Sequence, residues 1–136
     1  MGLPLTVLLV EDDPTLLRTL QVALGARGYR VLTAQCVREG LAVVMGATSV
    51  DAMVIDLRLP DGLGWDLVER LRQIGRIPPP AVLISASTLS RREVREHGLE
   101  GYLPKPFSVD HLVEMVSLAL KRAGRGLPST RKEVLL

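Results

Sequence analysis

Val54-Ile55-Asp56-Leu57-Arg58-Leu59-Pro60-Asp61-Gly62-Leu63-Gly64 is the stretch whose reading decides the fold. The apolar run from Met53 to Ile55 ends abruptly in an acid, and Pro60 and Gly64 punctuate the positions that follow. This is the pattern of a buried strand that stops at Asp56 and turns. In open α/β sheets, ligands bind outside the carboxyl ends of the parallel strands, so a carboxylate there marks a candidate site. Its chemistry depends on what the other strand ends carry.

Working outward, the same pattern recurs. Thr6 to Val10 is a short run of β-branched and leucine residues followed at once by Glu11-Asp12-Asp13-Pro14. Asp13 suits a helix cap and Pro14 the first helical position, so a helix starts there and runs to Gly25 or Gly28 with Leu16, Leu17, Leu20 and Leu24 on one face. Tyr29 to Thr33 reads as a second strand and residues 36–46 as a second helix. The third strand spans Asp51 to Asp56. A third helix over Gly64 to Ile74 carries Trp65, Leu67, Val68 and Leu71 as its apolar positions.

Pro78-Pro79-Pro80 cannot lie inside a helix and marks a rigid loop before strand four, Ala81 to Ser85. Ser90 with Glu93 forms a capping box that opens a short helix through His97. Gly101 to Leu103 is strand five and Lys105-Pro106-Phe107 a turn. Ser108 then caps a fifth helix with Leu112, Val113, Val116, Leu118 and Leu120. Five strands alternating with five helices predict an α/β fold, a doubly wound five-stranded parallel sheet in order 2-1-3-4-5, flavodoxin-like. That order sets Glu11 and Asp12 beside Asp56.

Composition bounds the function. A chain of 136 residues holds one domain, here residues 1–123, and residues 124–136 lose periodicity and read as a tail or the start of a linker. With 47% hydrophobic residues and only four aromatics, the core is aliphatic and there is little for base stacking to use. The formal charge is +2, and the basic excess gathers in the last sixteen residues, so the body has no basic patch for direct nucleic-acid contact. The single cysteine, Cys36, rules out an internal disulfide or thiolate metal cage and suits a small half-buried position. No apolar run is long enough to span a membrane and no leader is evident, which predicts a cytoplasmic location.

Each inner strand end now supplies one chemical part: Glu11 and Asp12, then Asp56, then Ser85, and Lys105 just past strand five. Three crowded carboxylates repel, each pair costing about 3 kcal/mol at ~5 Å and an effective dielectric of ~20. A bound divalent cation relieves this, and all-oxygen donors favour a hard ion such as Mg²⁺. The set suits phosphoryl transfer: Asp56 as in-line nucleophile, Lys105 and the metal neutralising charge, Ser85 donating to a phosphoryl oxygen. Singly, each residue has a plainer role, the acids as helix-dipole partners, Ser85 as a turn hydroxyl and Lys105 as a solvated charge. His97, His111, Trp65 and the tail arginines take structural readings.

Residues 5–122 resemble a receiver domain of two-component response regulators. The resemblance rests on Glu11-Asp12, Asp56 with Pro60 and Gly64, Ser85-Ala86, Tyr102 and Lys105-Pro106-Phe107. It implies that Asp56 is the phosphorylation site and that Asp12, Asp56 and the backbone carbonyl of Arg58 bind Mg²⁺, with Glu11 acting through water. It further implies a Ser85–Tyr102 switch pair, a cis Lys105-Pro106 bond, and a histidine kinase or histidine phosphotransfer protein as phosphoryl donor. The chain departs from the commoner pattern in having Glu11 for Asp and Ser85 for Thr. Phosphorylation is then expected to change the face built from helix four, strand five and helix five, through which a homodimer is also open.

Two alternatives stand beside this. One makes the chain the receiver fragment of a DNA-binding transcriptional regulator whose effector domain is absent, since thirteen tail residues cannot build a helix-turn-helix. A haloacid-dehalogenase-type phosphatase also uses a strand-end aspartyl nucleophile. It places an acid two residues later, where this chain has Arg58, so the expectation is a phosphoacceptor with at most slow self-dephosphorylation and not an enzyme of turnover.

Overall fold

The computed structural model describes residues 3–124; residues 125–136, and with them nearly all of the expected tail, lie outside the described residues. Five strands form one parallel sheet: β1 (Thr6–Val10), β2 (Arg30–Ala34), β3 (Ala52–Asp56), β4 (Ala81–Ser85) and β5 (Gly101–Pro104). Between and after them run α1 (Pro14–Ala26), α2 (Val37–Met45), α3 (Trp65–Gln73), α4 (Arg91–Glu96) and α5 (Val109–Arg122). The strand order is β2-β1-β3-β4-β5, the order expected from the sequence.

The three central strands are buried along their whole length because helices cover both faces. Period-two alternation divides their side chains between two cores. Leu8, Val10, Met53, Ile55 and Leu83 face α2, α3 and α4 through Val37, Leu67, Leu71 and Val94. Val7, Leu9, Val54, Val82 and Ile84 face α1 and α5 through Leu20, Leu24, Leu112 and Val116. One step beyond the paired Val10 and Ile55 come Glu11 and Asp56, so parity sends both acids to the same side of the sheet.

Helix caps follow the sequence closely. The Asp13 carboxylate accepts the Thr15 and Leu16 N–H groups, Ser90 and Glu93 form the reciprocal capping box, and Ser108 Oγ accepts the His111 N–H. Boundaries move where a competing bond wins. The Tyr29 N–H donates to the Leu24 carbonyl at 3.3 Å beside Gly28 at φ +91°, so the closing turn of α1 claims Tyr29 and β2 begins at Arg30. Asp51 precedes β3 rather than opening it, and its carboxylate accepts the Thr6 N–H at 2.8 Å. Pro104 joins β5 because it pairs with Ser85.

Two features go beyond the sequence pattern. Leu118 is 47% exposed, because the inner face of α5 passes through Val116 and Leu120, and a residue two beyond Val116 points about 200° away. Between β3 and α3 the chain also forms a short antiparallel hairpin, Arg58–Leu59 against Gly62–Leu63, in addition to the five expected strands. Gly64 closes this hairpin, its N–H donating to the Leu57 carbonyl at 2.7 Å.

A Cβ on Gly64 would run into the Asp56 carbonyl oxygen and lie 2.6 Å from the Ile55 Cγ2, both belonging to the central strand. Its backbone is ordinary right-handed helix at φ −57°, so the demand is for space alone. Gly64→Ala should lower unfolding free energy by about 1–3 kcal/mol, the usual penalty for overpacking, measured by urea titration. A stability equal to wild type would show that the approach of α3 to β3 is not tight.

Candidate functional site

The site lies at the carboxyl ends of β1, β3 and β4 and in the turn after β5. Glu11 is 1% exposed and Asp56 6%, whereas Asp12 opens to solvent. One carboxylate oxygen from each of Glu11, Asp12 and Asp56 lies within 4.8 Å of the others. Lys105 reaches in from across the sheet, its Nζ 3.1 Å from Glu11 Oε1 and 3.3 Å from Asp56 Oδ2. The other Glu11 oxygen accepts the Asp13 N–H at 3.0 Å, which ties the pocket floor to the start of α1.

Backbone bonds fix these side chains from behind. The Lys105 N–H donates to the Ser85 carbonyl at 2.7 Å and the Leu57 N–H to the Ile84 carbonyl at 2.9 Å. The Lys105-Pro106 peptide is cis, as the sequence resemblance implied. Ser85 is 1% exposed, and its Oγ accepts the Ser87 N–H at 2.9 Å. The Tyr102 hydroxyl donates to the Ser87 carbonyl at 2.6 Å, so the backbone of Ser87 joins Ser85 to Tyr102. Arg58 sits at the base of the hairpin with its side chain in solvent.

Burial pushes the Glu11 carboxyl above the usual range, partly opposed by the Asp13 N–H and by Lys105, with the Asp56 charge adding to the rise. For Lys105 burial acts downward, but its hydrogen bond and attraction to Glu11, and then to Asp56, outweigh it and the net shift is upward. The ammonium is therefore held charged against two acids. The donor set fits a small hard cation: it is all oxygen, anionic, part buried and part open through Asp12, with no nitrogen or sulfur ligand in the cluster.

The other singled-out residues fall outside this pocket. Trp65 and His97 stack face to face at 3.8 Å with planes 3° apart, a contact between distant segments with no signature in either one's pattern. His111 is exposed on α5. Cys36 is half-buried and caps α2, its Sγ accepting the Glu39 N–H at 3.4 Å. Sequence reasoning missed Ser87, which carried no signal beyond its place two residues after Ser85. It also passed over Asp61, whose Pro-Asp-Gly setting reads as ordinary turn chemistry.

With this geometry in place, the family model for the response regulator receiver domain matches residues 7–117. The chain belongs to that family. It is 34% identical over 120 residues to the transcriptional regulatory protein KdpE of Mycobacterium tuberculosis, covering 85% of this chain and 51% of that protein. It is likewise 34% identical over 117 residues to the transcriptional regulatory protein CpxR of Klebsiella pneumoniae, covering 86% and 50%. The chain thus spans about half the length of the curated relatives it matches. Among solved structures it resembles the Francisella response regulator 1452 receiver domain, with a TM-score of 0.77 and 28% identity over 87% of this chain and 98% of that one. The order β2-β1-β3-β4-β5 is the receiver architecture, and among the described residues no helix is long and apolar enough to cross a membrane.

The pKa shifts set a pH test. A raised Glu11 pKa makes the folded state the better proton binder, so its contribution is full below the unfolded glutamate value and is lost as pH rises through the folded one. The Lys105 contribution holds up to the ordinary lysine range and is lost only above it. Near neutrality the ammonium is what compensates the acids. Lys105→Met should therefore cost at most about 3 kcal/mol near neutral pH, discounted because the side chain is 26% exposed. The deficit should shrink at a more acidic pH, as Glu11, whose pKa is raised, takes up a proton. Urea unfolding at both pH values checks this; equal deficits would mean that Lys105 compensates no charge.

Proposed function

We propose that Asp56 is the phosphoryl acceptor of a two-component signalling switch, with Asp12, Asp56 and the Arg58 carbonyl as ligands of Mg²⁺ and Glu11 acting through water. The observation that carries the reading is the convergence of Glu11, Asp12, Asp56 and Lys105 at one set of strand ends in a receiver fold. Bound there, the cation supplies charge neutralisation for the transferring phosphoryl oxygens. The Asp56 carboxylate oxygen attacks phosphorus in line, forming an acyl phosphate as the bond to the donor breaks. Lys105 holds the Asp56 carboxylate in place and offers its ammonium to a phosphoryl oxygen. The donor is a histidine kinase or a histidine phosphotransfer protein in the cytoplasm.

Signalling follows from Ser85. Drawn toward a phosphoryl oxygen, the Ser85 hydroxyl donates its own proton there, pulls on the Ser87 N–H that it accepts, and opens space that Tyr102, held on the Ser87 carbonyl, moves to fill. The α4–β5–α5 face changes with it, and a homodimer can form there. Moving such a domain from mostly off to mostly on takes about 5.5 kcal/mol of differential stabilisation, within reach of a phosphoryl group with metal, lysine and hydroxyl contacts. The likeness to KdpE and CpxR, each titled a transcriptional regulatory protein, favours a receiver that acts on an effector through residues 124–136 as the start of a linker. Arg58, not an acid, stands two residues past Asp56, which speaks against phosphatase turnover.

Acetyl phosphate with MgCl₂ should add the mass of one phosphoryl group to the wild-type chain and none to Asp56→Asn, and EDTA should abolish the addition. Equal labelling of Asp56→Asn would place the acceptor elsewhere.

A further inference from the structure

The loop that carries Arg58 contains one acid, Asp61, which is not among the clustered carboxylates Glu11, Asp12 and Asp56. Both of its oxygens are engaged with α2: Oδ1 accepts the Val37 N–H at 2.8 Å and Oδ2 the Arg38 N–H at 2.9 Å. The Arg38 N–H chiefly, with the Val37 N–H assisting against the opposing effect of burial, holds its carboxyl below the usual range. Helix α2 needs this partner. Its own cap is the Cys36 sulfur, a weak acceptor that takes only the Glu39 N–H, and the first two amides would otherwise have no side-chain acceptor.

The base of the loop is fixed by the Leu57 N–H on Ile84, the Gly64 N–H on Leu57 and the Leu63 N–H on the Asp66 carboxylate. The tip, Pro60-Asp61, rests on a ladder only two residues long. A ladder that short does not hold a backbone carbonyl in register by itself. The Asp61 carboxylate supplies the missing anchor from a helix 24 residues earlier in the chain.

We propose that Asp61 is a positioning residue for the cation site: by clamping the hairpin tip to the first two amides of α2, it holds the Arg58 carbonyl where the Glu11–Asp12–Asp56 pocket can use it. The inference rests on the reading of that pocket as a divalent cation site. It differs from a stability role in that loss of the clamp loosens a ligand as well as a helix end. Partners one step removed from a metal ligand commonly change affinity by about 10–100-fold when removed.

The test is Mg²⁺ binding by isothermal titration calorimetry, on folded protein well below its melting temperature. Asp61→Ala should weaken Mg²⁺ about tenfold, Asp61→Asn should fall between it and wild type, and both should speed amide exchange at Val37 and Arg38 without metal. Ser90→Ala strips a cap from α4 and should leave Mg²⁺ affinity unchanged at a similar loss of stability. Wild-type affinity in Asp61→Ala, or unchanged exchange at Val37 and Arg38, would overturn the inference. Should Asp61→Ala lose its fold, wild-type affinity in Asp61→Asn overturns it equally. Wild-type protein that binds no Mg²⁺ would bring down the cation reading and this inference with it.

Discussion

The Lys105 ammonium, shared between Glu11 at 3.1 Å and Asp56 at 3.3 Å, is the contact on which the site depends. Two nearly buried acids beside a third would otherwise repel at the end of the most buried part of the sheet. The compensation comes from the far end of the chain: Glu11 and Lys105 are separated by 94 positions, and only the strand order β2-β1-β3-β4-β5 brings them together. The chemistry of the pocket is in this sense a consequence of topology.

The two cores explain why that topology is stable enough to hold uncomfortable charges. Alternate residues of β1, β3 and β4 enter opposite cores, so each central strand is clamped from both faces. Fully burying a Val, Leu, Ile or Met side chain contributes about 1.5–3 kcal/mol, and each central strand buries at least three of them. Against that background the cost of a crowded acidic rim is tolerable, and the rim sits where the sheet stops being covered. The loops above it are tied down individually: Glu11 to the start of α1, Gly64 to Leu57, and the hairpin tip to α2 through Asp61. Ser85, Ser87 and Tyr102 form a chain of hydrogen bonds leading from the pocket toward α4 and β5.

Much of this was legible in the sequence because the informative residues are local punctuation. Apolar runs ending in Glu11, Asp56 and Ser85 mark strand ends whatever their neighbours, and Asp13, Ser90 and Ser108 announce helix starts by the same logic. Boundaries slipped by a residue where a backbone bond decided the matter, as at Tyr29 and Asp51. What stayed hidden was contact between distant segments with no periodic signature: the Trp65–His97 stack, the Asp61 clamp on Val37 and Arg38, and the Ser87 bridge. Leu118, named with the apolar residues of α5, lies off its buried face, since apolar character alone does not say which side of a helix a residue takes.

The central claim is that this pocket captures phosphorus on one particular carboxylate, and its most direct test is chemical mapping of the modified residue. Borohydride reduces an aspartyl phosphate to homoserine with release of phosphate, leaving a permanent mark on the acceptor. Peptide sequencing by mass spectrometry after phosphorylation and reduction should find homoserine at position 56 alone. Homoserine at position 12 or 61, or a fully phosphorylated chain with aspartate intact at 56, would contradict the account.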